Sequence, residues 1–572
     1  MAVSPEPTFP LAEEEIKLYT IHVRFWSVVP NIWGISSKYL NLTRQKLQLT
    51  RLPRNGPQPH WTESWEPKAT VERLVDYWLQ NFSWRDQEAD LNANVPQFRT
   101  EMRTSSTEAP VRLHLIHSRS TYANAVPCLL IPPFPFTNLC LSHLINNFTT
   151  PDDPSKDVPF HLVIPSLPGL GFSDPINSNE PVLPLIAQMF DALMKRLGYD
   201  YYLASTATPS PNSVTDIDFR LTNHIASSHP DSCLGVHLLS PPFRAPTWQN
   251  DPLEWLKWKT ATVLQTPCLG YTHQDIIAFQ QRQQQQQRQQ QQQRQQQQQR
   301  QQQQQRQQQI RQLPGPNQLP LCPGLNMGVN GGFEPNPLAY ALCDSPAGLL
   351  LFFLVVLRNI GSEHEFSNRD VIKMVSLTWL PGPEETMRLW THCCSSSDDL
   401  PSSSLKPKVG VTIFSGANGE TCGNSQQRES MPLPVSSPGV HTCLAWGRSR
   451  FNIVSSQTVA GSPGLLAWER PEVIATGVRG LAKAIIASDD RLQAAKEPGA
   501  AMQELIARVD EGDERFFPVD LLLGGEGANK LSTSEGEPTP LFPVLRASCP
   551  ELAVDHTDRD DGSQEFEWRK AA

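Results

Sequence analysis

Apolar and polar residues alternate over 111–117, VRLHLIH, the two-residue period of a strand with one face buried. Two short continuous apolar runs follow, VPCLLI at 126–131 and FHLVI at 160–164. Runs of this length without alternation suit strands buried on both faces of a parallel sheet. The spacing then turns helical over 185–197, LIAQMFDALMKRL, and Gly198 stands where a helix cap is expected. Strands are predicted at 201–204 and 235–239, with a helix at 217–228 between them. Further on, 408–414 (KVGVTIF) and 451–459 resume as strands, and 471–487 reads as a covering helix. Strand–helix–strand succession of this kind predicts an α/β protein: a mostly parallel central sheet with helices on both faces.

Two regions break the pattern. Near the N-terminus, AEEEIKLYTIHV and KLQLTRLPR read as one helix interrupted by residues 23–44, whose Trp- and Pro-containing run loses helical polarity. These residues are hypothesised to be an unspliced intron read as protein. Sequencing that finds their codons in mature message excludes that origin. The second break, 280–309, holds 25 glutamines and five arginines at a strict six-residue period. That period spirals the arginines around a helix, and the tract has no apolar side chains to offset its ordering entropy. It is read as a low-complexity insert, flanked by the Pro/Gly-rich LPGPNQLPLCPGLNMGVNGG. The resulting division is 1–110, an N-terminal meander; 111–270, the first half of the core; 271–405, a lid region carrying the insert; 406–495, the second half of the core; and 496–572, a mostly disordered tail.

Composition narrows the function classes. The chain has 572 residues, 39% of them hydrophobic and 19% charged, enough for a core but not along the whole length. The net charge of -10 offers no basic surface for nucleic acid. The 11 cysteines show no C-x-x-C pair, which points to a reduced, cytoplasmic protein. No metal-ligand spacing occurs, and no cofactor is expected. The longest apolar run, 349–357, is far short of the roughly 20 residues a membrane span needs and is read as a buried helix. Expected partners are a small apolar ligand or epoxide, and a protein bound through the Gln-rich tract.

Four segments carry a family resemblance. They are WEPKATVERLVDYWLQNFSWRDQEADLNANVPQFRTEM (65–102), VIPSLPGLGFSDP (163–175), AYALCDSPAGLL (339–350) and LLAWERPEVI (465–474). In this order they resemble the α/β-hydrolase epoxide hydrolases of the microsomal type and their fungal relatives. The resemblance implies an α/β-hydrolase fold with an N-terminal meander and an inserted helical lid. It also implies a reaction, epoxide plus water to vicinal diol. In that family an aspartate on a sharp strand-to-helix turn attacks an epoxide carbon and forms an ester. A histidine oriented by an acid then activates water to hydrolyse it. Two lid tyrosines supply protons, and a His-Gly-x-Pro loop supplies backbone donors.

Several of the family's functional positions carry other residues. Counting from Leu197-Gly198-Tyr199 puts Thr208 at the nucleophile position, with prolines at 209 and 211 where the turn needs glycine. Counting back from Pro471 puts Gly464 at the base position. The backbone-donor loop falls on Pro132-Pro133-Phe134-Pro135-Phe136-Thr137, and proline has no N–H to donate. The lid tyrosines fall near Met327 and on Thr378. Glu420 is a substitute for the orienting acid. Asp216 and Asp218 are read as caps of the helix starting near Ile217, with replacement nucleophile as the second reading. His224, His229 and His237 are read as helix-surface or strand-end residues, His114 and His117 as sheet-face residues. Ser166 lacks a G-x-S-x-G frame and is read as part of a structured loop. Pro132, Phe134, Thr208 and Thr378 are expected to line a substrate pocket. Catalysis is expected to be lost or much weakened, the alternative being a non-catalytic ligand-binding or regulatory protein on the same scaffold.

Overall fold

The computed structural model describes residues 16–18, 35–53, 68–103, 110–178, 180–210, 216–243, 245–249, 251–273, 275–277, 279–280, 335–360, 365–395, 406–414, 442–461 and 463–494. All lie in the first of two units, Met1–Phe517 and Pro518–Ala572. Glu420, Met327, the Gln/Arg tract beyond residue 280 and the tail from 495 fall outside the described residues.

Nine strands form one sheet. They are β1 (Ile16–Leu18), β2 (Gln97–Met102), β3 (Val111–Ser118), β4 (Val126–Ile131), β5 (Phe160–Pro165), β6 (Tyr202–Thr206), β7 (Cys233–Leu239), β8 (Lys408–Phe414) and β9 (Asn452–Val459). Their order is β1-β2-β3-β5-β4-β6-β7-β8-β9. The pairs from β1 to β5 on one side are antiparallel, and every pair from β5 through β9 is parallel. The apolar runs explain the interior. β4, β5 and β7 are buried at every position. Successive residues of β4 face opposite cores, with Cys128 and Leu130 in one and Leu129 and Ile131 in the other.

Helices cover both faces. The helix Val182–Arg196 buries Leu185, Ile186, Met189, Phe190, Leu193 and Met194, a stripe at helical spacing. It stops where Gly198, at φ 83°, and Tyr199 donate back to Lys195 and Met194. Only glycine takes such a left-handed turn without cost. Its Asp191 carboxylate accepts from the Tyr202 hydroxyl at 3.0 Å and from Ser232, fastening the helix to the starts of β6 and β7. On the opposite core lies the helix Pro471–Ile486, and Gly477 lets it approach the His237 ring: a Cβ there would sit 2.2 Å from His237 Nε2.

The lid comprises the helices Pro335–Asp344, Pro346–Asn359, Asn368–Trp379 and Glu384–Ser395, between β7 and β8. The run 349–357 lies in the second of these, with Leu349, Leu350, Phe353 and Val356 buried. No single helix among the described residues is long and apolar enough to cross a membrane. The meander helices Ser37–Gln48, Lys68–Gln80 and Trp84–Asn94 bind the lid from outside. Trp379 Nε1 donates to Thr43 Oγ1 at 2.8 Å, and Arg369 Nε donates to Gln87 Oε1 at 3.2 Å.

The N-terminal helix expectation is corrected in part. Residues 16–18 pair with β2 as a strand, and the helix runs from Ser37 through Gln48, across the expected boundary at residue 44. Ser36 caps it by accepting from Lys38 N, so residues 37–44 have their own start signal.

Four histidines are packed within the fold. His117 Nε2 lies 2.9 Å from Tyr199 Oη, His114 Nε2 3.2 Å from Gln97 Oε1, and His161 Nδ1 accepts from Ser120 N. His237 Nδ1 and Nε2 lie 3.0 Å from Ser205 Oγ and 2.8 Å from Thr412 Oγ1. Burial pushes His114, His117 and His237 down to about 3 and His161 to about 4. The unfolded chain therefore binds more protons below about pH 6.5, and each histidine removes about 1.4 kcal/mol of stability per pH unit from there towards its folded pKa. The melting temperature is expected to drop as buffer pH falls from about 7 to about 5. An unchanged value by calorimetry contradicts this.

Candidate functional site

The order β5-β4-β6 is a topological switch: the chain steps from β4 to β5 on one side, then returns across β4 to β6. Open parallel sheets bind ligands at the carboxyl ends of the strands flanking such a switch. Ile131 is in register with Thr206, so Pro132 and Ala207 leave the sheet side by side. The loop after β4 and the turn after β6 are those the sequence marks for the donor loop and the nucleophile.

The β4 loop is filled with aromatic side chains. Phe134 and Phe136 are both 1% exposed. The Phe136 ring lies 5.0 Å from Trp468 and 5.8 Å from Phe353 of the lid. Phe134 lies 6.2 Å from Trp390, which in turn meets Phe352 at 6.1 Å. Phe136 N–H donates to Pro133 O at 2.8 Å, so this amide is spent inside the loop. Pro132, Pro133 and Pro135 have none to offer. The sequence could flag Phe134 but not the chain of rings joining three separate segments.

Thr208 is buried just beyond the end of β6. Among described residues, the left-handed conformation leading into the next helix belongs to Asp216, at φ 51° and ψ 17°. Asp216 occupies the cap position of the helix Ile217–Ser228, as expected, but its side chain makes no capping hydrogen bond. A non-glycine residue there costs about 1–3 kcal/mol, although aspartate tolerates it better than most. Burial raises its carboxyl to about 6, against the lowering influence of Arg220. Asp218, in the first helical turn, is 1% exposed.

At the base position the backbone requires glycine. Gly464 has φ 54°, and a Cβ there would lie 2.1 Å from Glu469 Oε2. The Glu469 carboxylate thus fills the space that a side chain at 464 would enter. Trp468, beside it, anchors the segment to Phe136. Thr378 sits on the lid helix Asn368–Trp379, buried. The hydroxyls of Thr378 and Thr206 are buried with no hydrogen-bond partner among the described residues. An unsatisfied buried polar group costs about 1–3 kcal/mol, and such groups mark positions where a ligand or water is accommodated.

The remaining candidates are accounted for by packing. Ser166 Oγ donates to Leu170 O at 2.8 Å. His237 lies within β7 rather than at its end, its two ring nitrogens occupied by Ser205 and Thr412. His229 Nδ1 lies 3.4 Å from Asp191 Oδ2. His224 is buried on the helix Ile217–Ser228 rather than on its surface. Among the described residues no group of three or more His, Cys, Asp and Glu could hold a metal ion.

Residues 30–140 match the family model described as "Epoxide hydrolase N terminus". A putative epoxide hydrolase of Stigmatella aurantiaca is 30% identical over 250 residues, 43% of this chain and 53% of that protein. One from Dothistroma septosporum is 34% identical over 132 residues, 22% of this chain and 30% of that protein. The chain thus matches about half or less of the length of these relatives. The crystal structure of juvenile hormone epoxide hydrolase from the silkworm Bombyx mori superposes with a TM-score of 0.55 at 16% identity, covering 85% of this chain and 96% of that one. The sheet order and this superposition define an α/β-hydrolase fold. Within it, residues 30–140 match the N-terminal region of epoxide hydrolases, and the chain is similar to members of that family.

Replacing Gly464 with histidine is expected to destabilise the fold by about 1–3 kcal/mol, because it meets both the left-handed backbone and the Glu469 carboxylate. Urea unfolding of the variant checks this, and an unshifted midpoint contradicts it.

Proposed function

We propose that this chain descends from enzymes that convert epoxides to vicinal diols through an alkyl-enzyme ester, and that its own turnover is lost or much weakened. The observation carrying this reading is Gly464. A loop closed on glycine by the Glu469 carboxylate leaves no imidazole at that position to activate water on the ester. The prolines at 132, 133 and 135 support it, since a loop short of N–H groups stabilises a developing oxyanion poorly. Thr378, with a hydroxyl far less acidic than a phenol, supports it at the lid.

The second reading is a ligand-binding protein without turnover. The apolar rings around Phe136 and the orphan hydroxyls of Thr206 and Thr378 favour it. A small apolar molecule with one polar atom suits such surroundings.

Incubation of the purified chain with styrene oxide separates these readings from an intact enzyme. The expected result is no diol beyond one equivalent per chain. Continuous diol release with saturable kinetics overturns the proposal. A rise in melting temperature with the epoxide, without product, supports the binding reading.

A further inference from the structure

We propose that the outer face of the helix Pro252–Leu264 is a lipid-binding surface, by which the chain lies on anionic membranes. The face shares no residue with the positions discussed above, and the proposal holds whether or not turnover survives.

The helix is specified by its ends. Asp251 caps it, its side chain accepting from Glu254 N at 3.2 Å, Pro252 opens the first turn, and Gln265 closes it in a left-handed conformation at φ 52°. A surface helix ordinarily turns its apolar stripe to the core. In this one only Ala261 is buried, within a small satellite cluster where Trp258 meets Trp446 at 5.9 Å. Leu253, Leu256, Val263 and Leu264 stand in solvent, Leu253 at 72% and Val263 at 77% exposed. At about 3.6 residues per turn these four fall within an arc of about 100°. Thr260 is the polar residue in that arc, and its hydroxyl donates to Leu256 O at 2.8 Å. Trp248, Leu269 and Ile277 are exposed as well. Seven of the twelve large hydrophobics exposed among the described residues therefore lie within 248–277, a concentration that single, scattered apolar residues would not give.

Charge selects the partner. Lys257 and Lys259 fall on the two flanks of the apolar arc. Lys259 Nζ lies 4.7 Å from the centre of the Trp258 ring. Arg448 and Arg450, both exposed, lie in the segment that carries Trp446. The carboxylates of the same stretch are engaged within the fold: Asp251 in the cap, Glu254 with Lys257 at 2.6 Å, and Asp275 accepting from Thr272 N and Oγ1 at 2.8 and 2.7 Å. Between Ile276 and Phe333 the sequence carries six arginines and no acidic residue, although the whole chain has a net charge of -10. Lysines beside tryptophan and leucine match a helix lying in a membrane interface, where their long stems let the ammonium groups reach headgroups while the apolar stripe enters the acyl boundary. A second copy fits less well, because lysine is depleted in protein interfaces and a two-fold axis would set the same lysines against each other.

The test is co-flotation of the full chain with vesicles. Phosphatidylcholine vesicles with about 30% phosphatidylserine are expected to carry the chain, pure phosphatidylcholine to carry markedly less, and about 0.5 M salt to release it. The double variant L256S/V263S is expected to partition at least about tenfold more weakly with a nearly unchanged melting temperature, since both side chains are already in water. Hydrogen exchange of the unsubstituted chain stands independently if that variant fails to fold: vesicles containing phosphatidylserine are expected to slow exchange within 248–277. A chain that does not float, that floats equally on both vesicles, or that floats as well with the double variant overturns the proposal. Exchange slowed only outside 248–277 also overturns it. A dimer that the double variant separates, with no flotation, assigns the face to a second copy instead.

Discussion

The pairing of β4 with β6 sets the position of everything at the carboxyl edge of the sheet. With Ile131 opposite Thr206, a loop from residue 132 and a turn from residue 207 emerge as neighbours although more than seventy residues separate them. That register depends on β4 being apolar at every position, because a one-residue slip would exchange the two cores its side chains enter. It also depends on Asp191, which holds the preceding helix to the first residue of β6 and so limits where that strand can start. The chemistry at the edge can change without disturbing this frame, since loops carry the reacting groups and the sheet carries the stability.

Several positions that the family resemblance marks for catalysis are packing positions in this fold. Phe136 contributes a buried ring to a cluster with Phe353 and Trp468, and its amide closes a tight turn onto Pro133. Both features hold the loop in place. At Gly464 the left-handed backbone favours glycine, and the Glu469 carboxylate lies in the space a Cβ would take, so a side chain there would have to displace it.

Much of the frame was legible in the sequence. VPCLLI, KVGVTIF and the helix at 217–228 match the observed elements residue for residue, because short apolar runs between turn signals leave few alternatives. Residues 16–18 were misread because IKL follows an acidic helical-looking run, while its partner strand β2 lies some eighty residues away and leaves no local trace. Thr208 was marked by counting from Leu197, and it lies buried just beyond the end of β6. Asp216 was visible as a residue, but its left-handed backbone was not. The contact between Gly464 and Glu469 was hidden for the same reason: both residues were in view, while the direction of a carboxylate is set by tertiary packing.

The bonds from Trp379 to Thr43 and from Arg369 to Gln87 join the lid to the first hundred residues of the chain. The lid is thus fastened to the meander at two separate points. Any displacement of these lid helices has to break such bonds or carry the meander helices along.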